Sequence, residues 1–199
     1  DVKIDNTITE LDTKFTITHI GLMNADRNPK MLWDVLADIC IENRAFANDF
    51  QLKLIGKVDA SVLRDISEKN LQNNVQFVNY VSHNEVVNYQ KKSQVLLLIV
   101  NNVPSAKGII TGKIFEYLMA KRPILAIAPK NGDLAEILKT TNGGCVIDFN
   151  QKDELKRAIL DLYSKFIKGN LVVESENIGQ FHRKELTKKV SEILKEIIE

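Results

Sequence analysis

Short apolar runs alternate with longer stretches of helical period along the whole chain, and this alternation restricts the fold more than any other feature. The runs are "FTITHI" from Phe15, "QLKLIG" from Gln51, "VQFVNY" from Val75, "QVLLLIV" from Gln94, "PILAIA" from Pro123 and "GCVID" from Gly144. They are rich in β-branched residues and bounded by turn formers, which is the pattern of strands. The runs at Val95 and Ile124 are apolar at every position, as a central parallel strand is when helices cover both its faces. Helical period predicts helices over 28–46, 61–70, 85–92, 112–121, 133–140 and 152–166, and a closing amphipathic helix over 181–198. The first of these lines up Met31, Leu32, Val35, Leu36 and Ile39 on one stripe. Strand–helix alternation repeated six times predicts a doubly wound, six-stranded parallel α/β sheet of Rossmann-like type with right-handed crossovers. In such a sheet a ligand sits outside the carboxyl ends of the strands, near the point where strand order reverses. The loops at 21–29, 79–84 and 101–112 are therefore the ones to inspect.

Charge and composition remove several function classes. With 27 basic and 26 acidic residues the net charge is +1, so no broad basic surface for nucleic acid is expected, and any anion site must be local. Cys40 and Cys145 stand in apolar surroundings without a C-x-x-C pair, which suits small buried thiols in a reducing compartment. His19, His83 and His182 fall in no metal-ligand spacing, and no metal is expected. The longest wholly apolar run, from Val95 to Val100, is far shorter than the roughly 20 residues a membrane span requires. The first residues, "DVKIDNTITELDTKF", are polar, lack the pattern of a signal peptide and lack an initiator methionine. The expected organisation is a linker over 1–13 from a missing N-terminal domain, a Rossmann-like domain over 14–168, and a connector with a closing helix over 169–199.

The stretch "SAKGIITGKIFEYLMAKRPILAIAP", from Ser105 to Pro129, carries the chemistry. It is not a P-loop. Gly108 and Gly112 are separated by three residues where the pattern needs four, and Ile114 follows Lys113 where a magnesium-binding hydroxyl belongs. The dinucleotide fingerprint is missing after the first strand, where Gly21 stands alone, and there is no G-x-S-x-G elbow. A helix starting near Gly112 nevertheless offers unpaired amides and partial positive charge, and Lys113 adds a full charge. Together these can hold a diphosphate. Glu116, one turn further in, can accept hydrogen bonds from the vicinal hydroxyls of a ribose. The residues by themselves leave a second possibility open. Thr111 or Gly112 can simply start the helix, with Glu116 a first-turn acid or an i,i+3 partner of Lys113.

"GKIFEYLMAKRPILAIAPKNGDLAEIL", followed by "GGCVIDFNQKDELKRAILDLY", resembles the donor-binding C-terminal half of GT-B glycosyltransferases. It is most similar to the large retaining group 1, or family 4-like, enzymes. "THIGLMNADRNPKMLWDVLADI", "VQFVNYVSHNEVVNYQKKSQVLLLIV" and the final "FHRKELTKKVSEILKEI" are similar to further parts of that half. The resemblance implies a nucleoside-diphosphate sugar as substrate, transfer to a carbohydrate or lipid-linked acceptor, and a cleft completed by a second, N-terminal domain. No cofactor is expected, and the expected location is cytoplasmic, with peripheral membrane contact through the parent protein left open. It places Glu116 at the second acid of the family's E-x7-E motif, which binds ribose. Thr111, Gly112 and Lys113 fall where the diphosphate meets the helix end, with Lys113 as a candidate stabiliser of the leaving group. Tyr80, Val81 and Ser82 fall in the loop beside the base, and Gly21 in the first loop. Two departures stand out. Gly108 replaces the first acid, which leaves the retaining outcome open, and Leu22 stands where an arginine is common, with Arg27 or Lys30 as substitutes. A nucleotide-sugar 2-epimerase and a non-catalytic scaffold half are the alternatives, and a half-cleft alone is expected not to turn over.

The remaining residues have simpler expectations. Trp33 belongs to the core or an interface. The run from Lys121 to Pro123 terminates a helix with two cations and a proline.

Overall fold

The computed structural model describes residues 10–198. Six strands form one sheet: β1 (Phe15–Ile20), β2 (Phe50–Ile55), β3 (Val75–Val78), β4 (Val95–Ile99), β5 (Ile124–Ile127) and β6 (Gly144–Ile147). Every pairing is parallel, and the order is β3-β2-β1-β4-β5-β6. The chain winds outward first to one side of β1 and then, from β4, to the other. The switch point is therefore the β1–β4 boundary, where Ile17 pairs with Val95 and Thr18 with Leu96.

Right-handed crossovers in opposite directions put helices on opposite faces. One face carries α1 (Lys30–Glu42), α3 (Ala60–Glu68) and α7 (Lys152–Ile167), packed on Phe15, Ile17, Leu52, Leu54, Val95, Leu97 and Leu125. The other carries α5 (Lys113–Met119) and α6 (Asp133–Thr141), packed on Leu96, Leu98, Ile124 and Ala126. Alternate residues of β4 and β5 thus enter two separate cores, and this is why both runs are apolar throughout. Trp33 is fully buried in the first core, and its indole nitrogen donates to Asn28.

The helix predicted over 28–46 is two helices. Asn43 ends α1 in extended conformation and caps α2 (Arg44–Asp49), its side chain accepting from the Phe46 amide. The break turns Phe46 inward onto Phe50 and Tyr163. The helix expected from residue 85 begins two residues earlier. Ser82 and Glu85 form a reciprocal capping box at the start of α4 (His83–Lys92).

The first described residues are pinned to the sheet. Asp12 takes Lys53 at 2.8 Å and the Thr16 hydroxyl at 2.9 Å. The expected linker's residues 1–9 lie outside the described residues. After α7 the chain crosses under β4 and β5, where Arg122 donates to the Leu171 carbonyl, and climbs α6, where the Glu176 amide donates to Thr141. Phe181 then packs on Phe115, and α8 (Arg183–Ile198) leaves the body with Leu186, Val190, Ile193 and Leu194 exposed. No helix among the described residues is long and apolar enough to cross a membrane.

Candidate functional site

Gly21 ends β1 with φ +116°, a left-handed conformation that favours glycine, and its amide donates to Ile55 at 2.7 Å. A Cβ at Gly21 would stand 2.5 Å from the Lys113 ammonium nitrogen, so that cation lies directly over the glycine backbone. Two residues far apart in sequence thereby meet at the carboxyl edge of the switch point. The Lys113 ammonium is half-buried and repelled by Arg27, and its pKa falls to about 8 despite attraction from Glu116. Arg27 is held in place by Asn101, whose side-chain oxygen accepts from Nε at 2.9 Å, and by the Leu22 carbonyl at 3.3 Å. Two mutually repelling cations thus lie at the β1–β4 crevice.

Behind them lies His19, which is buried. Its Nδ1 stands 3.2 Å from the Leu97 carbonyl, which can only accept, so Nδ1 carries the proton and Nε2 presents a lone pair. No hydrogen-bond partner meets that lone pair. Burial, then the charge of Lys113, pulls the imidazole pKa down to about 3 against weaker support from the Leu97 and Leu22 backbone, so His19 is neutral. On the helix side, Tyr117 is fully buried and its hydroxyl accepts from the Ile20 amide at 3.2 Å, locking α5 to the end of β1.

The opening turn of α5 is not covered. Gly112 is its N-cap and is exposed, and the Thr111 hydroxyl accepts from the Lys113 amide at 3.4 Å. Gly112 and Glu116 both line a groove of about 400 Å³, closed on its far side by Ile178, Phe181, His182, Arg183 and Leu186. The Glu116 carboxylate accepts from the Gln90 side chain at 3.1 Å. Gly108 and Gly112 have ordinary backbone angles and open space where a Cβ would be, so what they leave is room.

The other predicted residues are spread along the same edge. Tyr80 is 92 % exposed just beyond β3, Val81 is half-buried, and the Ser82 hydroxyl is engaged with Glu85 at 2.6 Å. Lys30 does not join the cation pair: it is solvated and turned to Asp65 at 3.7 Å. Three site-edge residues escaped the sequence reading: His19, Asn101 and Gln90. Only Asn101 carried a signal, since it lies in a loop at the carboxyl edge. Among the described residues, no group of three His, Cys, Asp or Glu side chains could hold a metal ion. Burial pushes the Cys40 and Cys145 thiols up to about 11, and neither lies at this site.

The family model described as "Glycosyl transferases group 1" matches residues 14–165. No curated protein matches the chain. Among solved structures, a glycosyltransferase from Rickettsia africae is similar with TM-score 0.66 and 19% identity, over 94% of this chain and 49% of that one. Anabaena HepE, solved with UDP-glucose, is similar with TM-score 0.61 and 16% identity over 79% of this chain and 41% of that one. An S. aureus TarM mutant, solved with Fondaparinux, alpha-GlcNAc-glycerol and UDP, gives TM-score 0.61 and 17% identity over 99% and 37%. At such identities the likeness is one of fold. The chain spans less than half the length of each of these structures.

Proposed function

The chain belongs to the glycosyl transferases group 1 family, and from that premise we infer that it is the nucleotide-sugar-binding half of a glycosyltransferase. The observation that carries this reading is the cation pair at the switch point. Lys113 is desolvated, pressed over Gly21 and repelled by Arg27, with its pKa near 8. A diphosphate between the two cations would relieve the repulsion and hold both in their charged forms. Gly112 opens α5 beside them, and Gly21 lets the ligand approach the backbone closely. Glu116, one turn along α5, stands where ribose hydroxyls of the same ligand would lie, and exposed Tyr80 offers a platform for the base. As the bond to the sugar breaks, negative charge grows on the diphosphate, and Lys113 and Arg27 stabilise it. Two cations at the diphosphate leave no task for a metal in this reading.

The acceptor, a carbohydrate or a lipid-linked sugar, would be presented by a second domain. That domain would also close the cleft against water, so the chain alone binds donor without transferring it.

Calorimetry with UDP and GDP tests the reading. Binding of one of them is expected, weaker by about tenfold or more in Lys113→Ala, the scale of one charge-assisted hydrogen bond. Because binding needs the ammonium, affinity is expected to fall as pH rises through about 8. Lys113→Arg keeps its charge and should flatten that profile. Equal affinity of the wild type and Lys113→Ala at pH 7 would overturn the assignment.

A further inference from the structure

We propose that Gln90 is a positioning residue that aims the Glu116 carboxylate at a ribose diol, so that the site selects ribonucleotides over deoxyribonucleotides. The inference rests on the nucleotide reading of the site given above, and it concerns a residue that does not itself touch the groove.

Gln90 is 3 % exposed and is the one buried residue of α4. The valines and tyrosine of that helix, Val86, Val87 and Tyr89, are only half-buried. The side chain most removed from water is therefore an amide, where an aliphatic residue would pack without desolvation cost. Its Nε2 donates to Glu116 Oε2 at 3.1 Å. A carboxylate can only accept, so the amide nitrogen must face it, and the hydrogen bond is charge-assisted.

This geometry divides the work of the carboxylate. Oε2 is engaged from below by α4, which fixes the rotation of the carboxyl plane. With Oε2 held, Oε1 is the oxygen that would accept from hydroxyls entering from the groove that Glu116 lines. Without Gln90 the side chain would have several rotamers to choose from, and a diol would have to select one of them on binding. A merely structural bond between α4 and α5 would affect all ligands alike. A positioning bond acts on hydroxyl recognition alone.

The test measures binding of UDP and GDP, and of their 2′-deoxy and 3′-deoxy forms, to the full chain. The wild type is expected to prefer the ribonucleotide by about tenfold, the worth of one hydrogen bond to a charged group. Gln90→Met fills the same space without a donor, and should cut that preference to about threefold or less while leaving deoxynucleotide affinity within about twofold. Gln90→Glu sets two carboxylates together. They should share a proton as pH falls, restoring a donor and with it the ribose preference, which is otherwise lost at pH 8. If Glu116→Gln abolishes the preference and Gln90→Met retains it in full, the positioning role is wrong and the nucleotide reading stands. Equal weakening of ribo- and deoxynucleotide by Gln90→Met likewise leaves only a structural tether. If the wild type binds no nucleoside diphosphate, the nucleotide reading falls and this inference with it; if it binds ribo- and deoxy- forms equally, the ribose selection is wrong and the diphosphate reading stands.

Discussion

A single imidazole shows how much tertiary context alters a residue. His19 lies in an ordinary strand pattern, yet burial and the charge of Lys113 hold its pKa near 3. In the unfolded chain a histidine titrates near 6.5. Between those two values the unfolded state binds the extra proton, so stability rises with pH across that window. The contribution of His19 is complete above about pH 6.5 and is lost as pH falls toward 3, at up to about 1.4 kcal/mol per pH unit. Urea unfolding at pH 7.5, 6 and 5 should therefore show wild type losing stability relative to His19→Leu with each step. A constant difference would mean that the imidazole protonates without cost. Gly21, Lys113, Arg27 and Glu116 could be singled out in the sequence because glycines, cations and acids at loop–helix junctions have limited uses. His19 and Gln90 could not, since their significance lies in what surrounds them.

Among the elements, capping decides where helices begin and end. The S-H-N-E run at 82–85 is a capping box in plain sight, and it places the start of α4 at His83. Asn43 is less legible: only the inward turn of Phe46 shows why one long periodic stretch becomes two helices. Lys121 follows α5 with φ +54°, the left-handed position that glycine usually fills. Lys121→Gly is expected to raise stability by about 1 kcal/mol, read as a higher midpoint in chemical unfolding. Unchanged or lowered stability would show that the lysine makes compensating contacts. The α1 and α7 helices are laced by Asp38–Lys152 and Glu42–Lys156, solvated pairs that align the helices without contributing much energy.

For the molecule as a whole, Arg122 is the residue that ties distant parts together. It looks like one of two cations ending a helix, yet it is buried and donates to Ser93 and Gln94 ahead of β4 and to Leu171 in the connector. Arg122→Met would leave those carbonyls without a donor, at a cost of about 3 kcal/mol in unfolding free energy. The same change should make the connector after Ile167 more open to proteolysis. The alternation of apolar runs and helical periods determined the six parallel strands and their two covered faces, because burial on both sides demands a side-chain pattern that can be read locally. The same local chemistry marked the loop before α5 as the candidate place for an anion. Only the tertiary structure decided that Lys113 lies over Gly21 beside Arg27, that Lys30 turns away to Asp65, and that Gln90 grips Glu116. Those meetings depend on strand order and on which helix crosses which face, and contacts between segments so far apart in the chain leave no periodicity in it.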